Sequence, residues 1–531
     1  MKFDWTLEAE NNIHTVGHED WKGGELHVST DLASAKLTKV VGTMDLAINP
    51  DEKIFMNGYQ TWTVCPEMTK DDRIRGMHKI PKKLLDQYGF DRYGDYHFYD
   101  YPYERGVSHG YSWCYFRNGK NFRLFASLNE EPGYTMFRYD AKLGILTIER
   151  DCAGLVVNGN YQLFDLFFAE GSEQEVFDAW FKVLDLKRKT TDKIYGYSSW
   201  YNRYQDINET AIEQDLAGCR SILKPNDLFQ VDDGWETFVG DWIGADQSKF
   251  PAGMKKIADE IHSAGFRAGL WLAPFVAEEK SELYQKHQDW FLKVNHANWW
   301  LGSNWSGFYA LDIDKPEVQE YLRQVFHQVF DEWGYDLVKL DFVYGAAPFC
   351  NEKETRAGRM IRAMKFLREL CGDHLILGCG VPVMPAFGYV DYCRISCDVS
   401  LDWDDVWYMK MFHRERVSTK NAITNILSRR ELNGRAYLSD PDVFFLRENN
   451  IKLTDQEKMD LATLDALLGG VFLTSDDPGT YTDAMKQKYQ KLRDLSERAE
   501  VTDISTDHGI NITYTMDGRT ESVHLFAERI R

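Results

Sequence analysis

Asp314-Lys-Pro-Glu-Val-Gln-Glu-Tyr-Leu-Arg-Gln-Val-Phe-His-Gln-Val-Phe-Asp-Glu-Trp-Gly-Tyr-Asp-Leu-Val-Lys-Leu-Asp341 decides the fold. Asp314 and Lys315 are polar and Pro316 follows in the first turn, which marks a helix start. The helical pattern runs towards Trp333. The short apolar run Leu337–Asp341 then reads as a strand. Downstream the rhythm repeats, with helical spacing over 352–370 and a second apolar run at Leu375–Cys379. Short apolar strands alternating with helices are the pattern of βα units and a parallel sheet.

Extended outward from there, the same reading gives eight strands: Ile194–Ser198, Leu228–Asp232, Arg267–Leu272, Leu337–Asp341, Leu375–Cys379, Tyr392–Cys397, Ala436–Asp440 and Gly470–Ser475. The fold class is therefore α/β, and eight units point to a closed (β/α)8 TIM barrel. An open doubly wound sheet is the alternative, weakened because no Gly-x-Gly-x-x-Gly follows the first strand. The stretch 290–312 is a long excursion between the third and fourth strands. It carries Trp299, Trp300 and Trp305, and is expected to wall a pocket or an interface.

Before the barrel the chain reads as β-rich. Gly24–Thr30, Tyr111–Phe116, Phe122–Ser127 and Gly144–Glu149 alternate as strands of an antiparallel sandwich, and Ser172–Leu186 is an amphipathic helix leading out of it. After Glu497, Ile510–Thr515 and Ser522–Ala527 are β-like again. The expected domains are a β-sandwich over 1–185, a catalytic barrel over 186–490 and a small antiparallel β-sheet domain over 491–531. The 531 residues have room for them, since a barrel takes about 250.

Composition narrows the function. A formal net charge of −21 with no basic run argues against nucleic-acid or anionic-membrane partners. No apolar stretch is long enough to span a bilayer, and the N-terminus lacks an apolar export signal. Nine cysteines without paired spacing point to a reducing compartment, hence a cytoplasmic location, and offer no structural zinc motif. Aromatics reach 14%, with 16 Trp and 28 Tyr, which suits a large core and equally suits sugar binding, where flat rings cover the C–H faces of pyranoses.

In such barrels the chemistry sits at the C-terminal strand ends. Those ends carry Trp200-Tyr201, Asp232-Asp233-Gly-Trp235, Trp271, Lys339-x-Asp341, Cys379, Arg394-x-x-x-Asp398, Asp440 with Asp442, and Asp476-Asp477. Burying this many acids together costs several kcal/mol unless they are paired, so a structural role for all of them is hard to motivate. For Asp476 and Asp477, helix capping is an equally good reading. Strand period puts Lys339 and Asp341 on one face, and Arg394 and Asp398 on another shared face. Lys339–Asp341 as a plain buried ion pair stays open. Two facing carboxylates are what glycoside hydrolysis requires, one as nucleophile and one as acid then base. No metal site is expected, because no His accompanies Asp232-Asp233, and a serine-hydrolase elbow is missing. No cofactor is expected.

With those residues in hand, the chain resembles glycoside hydrolase family 36, the α-galactosidases related to family 27. The motifs that carry the resemblance, in order, are Asn57-Gly-Tyr-Gln-Thr-Trp62, Gly196-Tyr-Ser-Ser-Trp-Tyr201, Asp232-Asp-Gly-Trp235, Gly269-Leu-Trp-Leu-Ala-Pro-Phe275, Lys339-Leu-Asp341, Gly378-Cys-Gly380 and Arg394-x-x-x-Asp398. The resemblance implies that Asp341 is the nucleophile and Asp398 the acid/base of a retaining α-galactosidase. It implies that Asp232 and Asp233 accept from the 4- and 6-hydroxyls, Lys339 donates to the 3- and 4-hydroxyls, and Arg394 lies near the 2-hydroxyl beside Cys379. Trp62, Trp200, Trp235 and Trp271 are implied aromatic walls, with Tyr201 beside them; for Trp235 a packing role fits as well. Asp341 is expected to stay ionised beside Lys339. The partner is then a small α-galactoside. Cys397 stands where some relatives have Pro, and 302–312 lacks an Arg that longer members carry, so aglycone preference and oligomeric state stay open. An α-N-acetylgalactosaminidase, an α-galactosyl transglycosylase and a non-catalytic sugar-binding protein remain as rivals.

Overall fold

The computed structural model describes every residue except 78, 188, 189, 191, 530 and 531. From residue 194 onward the architecture is a parallel sheet of nine strands: β1 (Ile194–Ser198), β2 (Leu228–Val231), β3 (Arg267–Leu272), β4 (Leu337–Leu340), β5 (Leu375–Gly378), β6 (Tyr392–Arg394), β7 (Leu438–Asp440), β8 (Val443–Phe444) and β9 (Val471–Thr474). Their order is β7-β6-β5-β4-β3-β2-β1-β9-β8. The edge strands β7 and β8 are separated only by Pro441 and Asp442, so the sheet curls until both edges meet one short piece of chain. An open doubly wound sheet has no such return, and that alternative is set aside.

All eight expected strands are present, and β1 and β3 keep their expected bounds. Strands β2, β4 and β5 end one residue earlier, so Asp232, Asp341 and Cys379 are the first residues beyond their strands. Strand β6 stops at Arg394 and β7 starts at Leu438. The cause at β7 is local: Ala436 N donates to Leu432 O and Gly434 N to Tyr437 O, holding those residues in a turn. Two-residue β8 carries no sequence signal of its own.

The helix after the excursion spans Pro316–His327 and continues as a π turn over Gln328–Glu332. Its N-cap is Lys315. Asp314, expected as part of the cap, is drawn instead to Arg359 and Arg362 on the next helix, Arg356–Cys371. The excursion itself forms a small antiparallel sheet of Val276–Glu278, Trp300–Gly302 and Phe308–Ala310 over the strand ends.

The N-terminal region is β-rich. One 22-residue strand, Gly24–Asp45, pairs in its first half with Val156–Gly171 and in its second half with Lys2–Ala9 and Ile145–Asp151. It thereby crosses from one sheet to the other over a core that includes Phe3, Leu7, Leu37, Phe137 and Phe164. The single strand expected at Tyr111–Phe116 is broken at Ser112, whose φ of 67° redirects the chain. Val107–Tyr111 then pairs with Tyr134–Asp140, while Trp113–Asn118 pairs with Asn121–Ser127. The exit helix, Glu173–Leu184, starts on a capping box between Ser172 and Glu175, a device worth about 1 kcal/mol. It buries Val176, Phe177 and Trp180. At the other end, Glu500–Ser505, Ile510–Met516 and Arg519–Leu525 form a three-stranded antiparallel sheet. Cys65, Cys114, Cys152, Cys219, Cys350, Cys379, Cys393 and Cys397 are free thiols.

Candidate active site

The C-terminal ends of the strands surround a pocket of about 420 Å³. Asp232 and Asp233 reach it from β2, Trp271 from β3, Lys339 and Asp341 from β4, and Asp398 from the loop after β6. Trp200 reaches it from the turn after β1, and Trp62 from the N-terminal region. Further residues that no motif singled out share the lining, namely Phe90, Tyr93, Gln205, Asn304, Phe342, Asp405, Met409, His413, Glu415, Arg416 and Val417. Trp305, from the excursion, lines it too.

Asp341 is held at both carboxylate oxygens. Its Oδ2 accepts from Trp271 Nε1 at 3.1 Å and its Oδ1 from the Phe342 backbone N–H at 2.9 Å. Phe342 adopts φ 51°, a left-handed conformation that a bulky residue takes up only where its surroundings force it. Burial raises the Asp341 pKa above the usual aspartate value. The Lys339 charge opposes this and the Asp398 charge adds to it.

Lys339 does not hydrogen-bond Asp341. Its Nζ donates to Asp232 Oδ2 at 2.8 Å, across the gap between β4 and β2, and the same oxygen accepts from Gln230 Nε2 at 2.8 Å. The plain Lys339–Asp341 ion pair is thus replaced by a cross-strand pair. Burial by itself would lower the Lys339 pKa, but the Asp232 carboxylate more than offsets it, and the ammonium stays charged. Asp233 Oδ2 accepts from Gln205 Nε2 at 2.8 Å and from Trp305 Nε1 at 2.9 Å. Behind it lies the buried Glu236, whose carboxyl is pushed well above its usual range by burial and then by the Asp233 charge.

Arg394 is enclosed by three acids. It donates to Asp398 at 2.7 Å, to Asp440 at 3.2 Å and to Asp442 at 2.8 Å. Its side chain is 4% exposed and does not line the pocket, so it anchors Asp398 rather than presenting free donors to a ligand. Asp442 also accepts from Tyr201 Oη at 2.6 Å and from Val399 N at 2.8 Å. Burial, resisted by Arg394, pushes its pKa up to about 7. Asp398 is half-buried, with 33% of its side chain exposed.

Three expected binding residues lie behind the wall. Trp235 is fully buried, donates to Trp271 O at 2.9 Å and packs on Trp242 and Trp333; it supports Trp271 from below. Tyr201 is buried against Asp442. Cys379 is buried beside Asp341, where its thiol bonds to the carboxylate. Asp477 caps the short turn Pro478–Thr480, and Asp476 accepts from Leu446 N, Arg447 N and Tyr481 Oη; neither joins the pocket.

Among the side chains that fasten the N-terminal region to the rim, Arg429 makes the most bonds. Arg429 is 1% exposed and has no carboxylate partner. It donates to Asn57 Oδ1 at 3.0 Å, Thr61 O at 2.6 Å, Gln60 O at 3.1 Å and Thr63 O at 3.4 Å, and to Ile395 O just past β6 at 2.7 Å. The loop so held carries Trp62. The opposing Gly380 has φ 54°, and a Cβ there would lie 2.8 Å from the Trp62 ring.

Among the described residues, no group of three or more His, Cys, Asp or Glu is placed to hold a metal ion, and no helix is long and apolar enough to cross a membrane.

A curled parallel sheet with paired acids and indole rings at its strand ends is an arrangement that suits glycoside hydrolysis, and the comparisons with known proteins point the same way. The melibiase family model matches residues 187–364. Probable α-galactosidase C of Aspergillus flavus is 30% identical over 177 residues, covering 30% of this chain and 23% of that protein. α-Galactosidase AgaA of Geobacillus stearothermophilus is 30% identical over 151 residues, covering 27% of this chain and 20% of that one. These matches span about a quarter or less of the relatives' own length. A solved structure aligns throughout: TtGalA, an α-galactosidase from Thermus thermophilus in complex with p-nitrophenyl α-D-galactopyranoside, has a TM-score of 0.76 at 26% identity, covering 99% of this chain and 97% of that one. The family 36 enzyme AgaA shares the fold, with a TM-score of 0.60. The chain is thus similar to the α-galactosidases of glycoside hydrolase family 36.

Proposed function

We propose that the protein is a retaining α-galactosidase on a closed (β/α)8 barrel, with a β-sandwich domain over 1–185, the barrel over 186–490 and a small β domain over 491–531. The observation that carries the reading is the contrast between two acids of one pocket. Asp341 is buried and fixed by Trp271 and Phe342, as a nucleophile must be. Asp398 is half-exposed and tethered by Arg394, as a group that exchanges protons with leaving group and water must be. The relatives' bound ligands, p-nitrophenyl α-D-galactopyranoside and, in a second TtGalA structure at 28% identity, stachyose, support the substrate class.

In the first step an Asp341 oxygen attacks the anomeric carbon, the glycosidic C–O bond breaks, and the Asp398 proton goes to the departing oxygen. A covalent galactosyl ester remains. In the second step Asp398 takes a proton from water, whose oxygen attacks the anomeric carbon and releases Asp341. Asp232 and Asp233 hold the sugar's 4- and 6-hydroxyls, with Lys339 placed between Asp232 and the nucleophile. An equatorial 4-hydroxyl leaves those buried acceptors unmet, and such mismatches discriminate strongly. Trp271, Trp305, Trp62 and Trp200 supply the apolar walls. Free thiols such as Cys114, Cys219 and Cys393 support a reducing, cytoplasmic setting.

Initial rates on p-nitrophenyl α-galactoside, α-N-acetylgalactosaminide and α-glucoside test the reading. Hydrolysis of the galactoside alone is expected. Activity confined to the acetamido sugar overturns the specificity, and no activity on any of them in folded protein overturns the enzyme.

A further inference from the structure

Asp398 lies in the loop after β6, beyond the strand that would otherwise hold it in place. What fixes it comes from behind the pocket wall. Arg394 Nη1 donates to its Oδ1 at 2.7 Å, and Ser418 N donates to its backbone carbonyl at 3.0 Å. Because Arg394 takes one carboxyl oxygen, the set of its guanidinium decides where the other oxygen stands.

That guanidinium is gripped more firmly than its charge requires. One carboxylate would neutralise it, and every further buried acid adds a desolvation cost. Asp398, Asp440 and Asp442 nevertheless each take a different nitrogen, Nη1, Nε and Nη2. A planar fork held at three nitrogens is fixed in orientation as well as in position.

Of the two acids behind the fork, Asp442 reaches Asp398 by two routes. Its Oδ1 accepts from Arg394 Nη2 at 2.8 Å, and its Oδ2 accepts at 2.8 Å from the backbone N–H of Val399, the residue after Asp398. It thus holds the side chain of Asp398 through Arg394 and the backbone through Val399. Tyr201 Oη donates to the same Oδ2 at 2.6 Å. Asp442 is buried and does not line the pocket. Its φ of 88° is a conformation that a non-glycine residue keeps only where its surroundings over-determine it, and such residues cluster at functional sites. With Pro441 it forms the whole link between the edge strands β7 and β8, so it stands at the seam where the sheet closes, next to β6.

We propose that Asp442 is a positioning residue for Asp398, fixing the direction from which the acid/base meets the glycosidic oxygen and then the attacking water. The proposal rests on the retaining reading above, in which Asp398 is the acid/base. Asp442 touches neither the sugar nor the reacting atoms and acts through Arg394 and the Val399 amide.

The test is Asp442→Asn, which keeps the shape, tolerates the left-handed backbone and gives up one acceptor oxygen. The ratio kcat/KM is compared for raffinose, whose departing sugar oxygen needs a proton, and for p-nitrophenyl α-galactoside, whose nitrophenolate leaves with little help. The raffinose value is expected to fall at least about tenfold further than the aryl value. Azide attacks the galactosyl-enzyme without needing a base. It is expected to raise aryl turnover in the variant and yield α-galactosyl azide, and to do neither in wild type. Equal losses on both substrates without an azide response, or no loss on either, overturn the proposal. Tyr201→Phe is the second variant, since it keeps Asp442 and removes one of its bonds. A smaller loss with the same leaving-group dependence is expected, and an equal loss on both substrates contradicts the proposal. Wild-type protein that cleaves no galactoside, or an Asp398→Asn variant without the leaving-group dependence, overturns the underlying reading instead, so the two failures are distinct.

Discussion

Lys339 reaches across from β4 to Asp232 on β2 at 2.8 Å instead of pairing with Asp341 two residues along its own strand. Asp341 and Lys339 are therefore neighbours without being bonded, and the ammonium serves both as the counter-charge of Asp232 and as a fixed positive charge beside Asp341. Lys339→Met leaves Asp232 buried without its cation. The expected cost is about 3–5 kcal/mol of folding stability, read by urea titration, with the galactoside kcat/KM falling by at least about a hundredfold. A stability change below about 1 kcal/mol contradicts the pairing.

The pH profile follows from the same charges. The proposed nucleophile Asp341 must be ionised, and burial raises its folded pKa. The acidic limb of kcat/KM is thus expected above the usual aspartate value of about 4. Trp271→Phe removes an indole donor that lowers this pKa, so the limb should move to higher pH. A limb that moves down instead contradicts the assignment.

Glu130 ties pH to stability away from the pocket. It is 2% exposed, its Oε2 accepts from Thr135 N at 2.8 Å, and burial, opposed by Arg150, pushes its pKa from 4.5 up to about 7. A raised folded pKa favours the folded state fully below about 4.5, and the benefit disappears as pH rises through about 7. Glu130→Gln removes this dependence. Its stability relative to wild type is expected to improve between pH 5 and pH 8 by on the order of 3 kcal/mol, from urea titrations at both pH values. An unchanged difference contradicts the burial account.

The strand ends were legible because parallel strands buried on both faces have to be apolar, and the acids that interrupt such runs stand out. Asp232, Asp341 and Asp398 were found that way, and all three line the pocket. What the Arg394 spacing could not convey is that Asp440 and Asp442, some 45 residues on, surround the same guanidinium. Trp235 and Tyr201 belong to motifs that border the pocket, yet their side chains turn into the layer beneath it, because each has a polar atom that a buried acceptor satisfies. Gln205 and His413 carry no pattern at all. They reach the pocket through turns whose course depends on packing far along the chain. The break at Ser112 was hidden for the same reason, since its left-handed turn answers to two different sheets.

Arg429 is expected to set the position of Trp62. Arg429→Met strands the carbonyls of Thr61 and Ile395 and the side-chain oxygen of Asn57, at about 1–3 kcal/mol each. A fall in melting temperature accompanied by a rise in galactoside KM is expected. A lower melting temperature with KM unchanged would make Arg429 a purely structural fastener.

Gly380→Ala probes the same wall from the other side. Its φ of 54° and the 2.8 Å approach of Trp62 both oppose a side chain. The substitution is expected to raise KM, and Trp62→Ala should relieve part of the added destabilisation in a double-mutant cycle. Strictly additive effects contradict the contact.

The central claim, that Asp341 is the nucleophile of a retaining reaction, is tested most directly by proton NMR of the first sugar released from an aryl α-galactoside, alongside Asp341→Ala. Release of α-galactose by wild type is predicted, with at least about a thousandfold loss in the variant. Adding azide should restore turnover in the variant and yield the β-galactosyl azide. Release of β-galactose first, or undiminished turnover in Asp341→Ala, contradicts it.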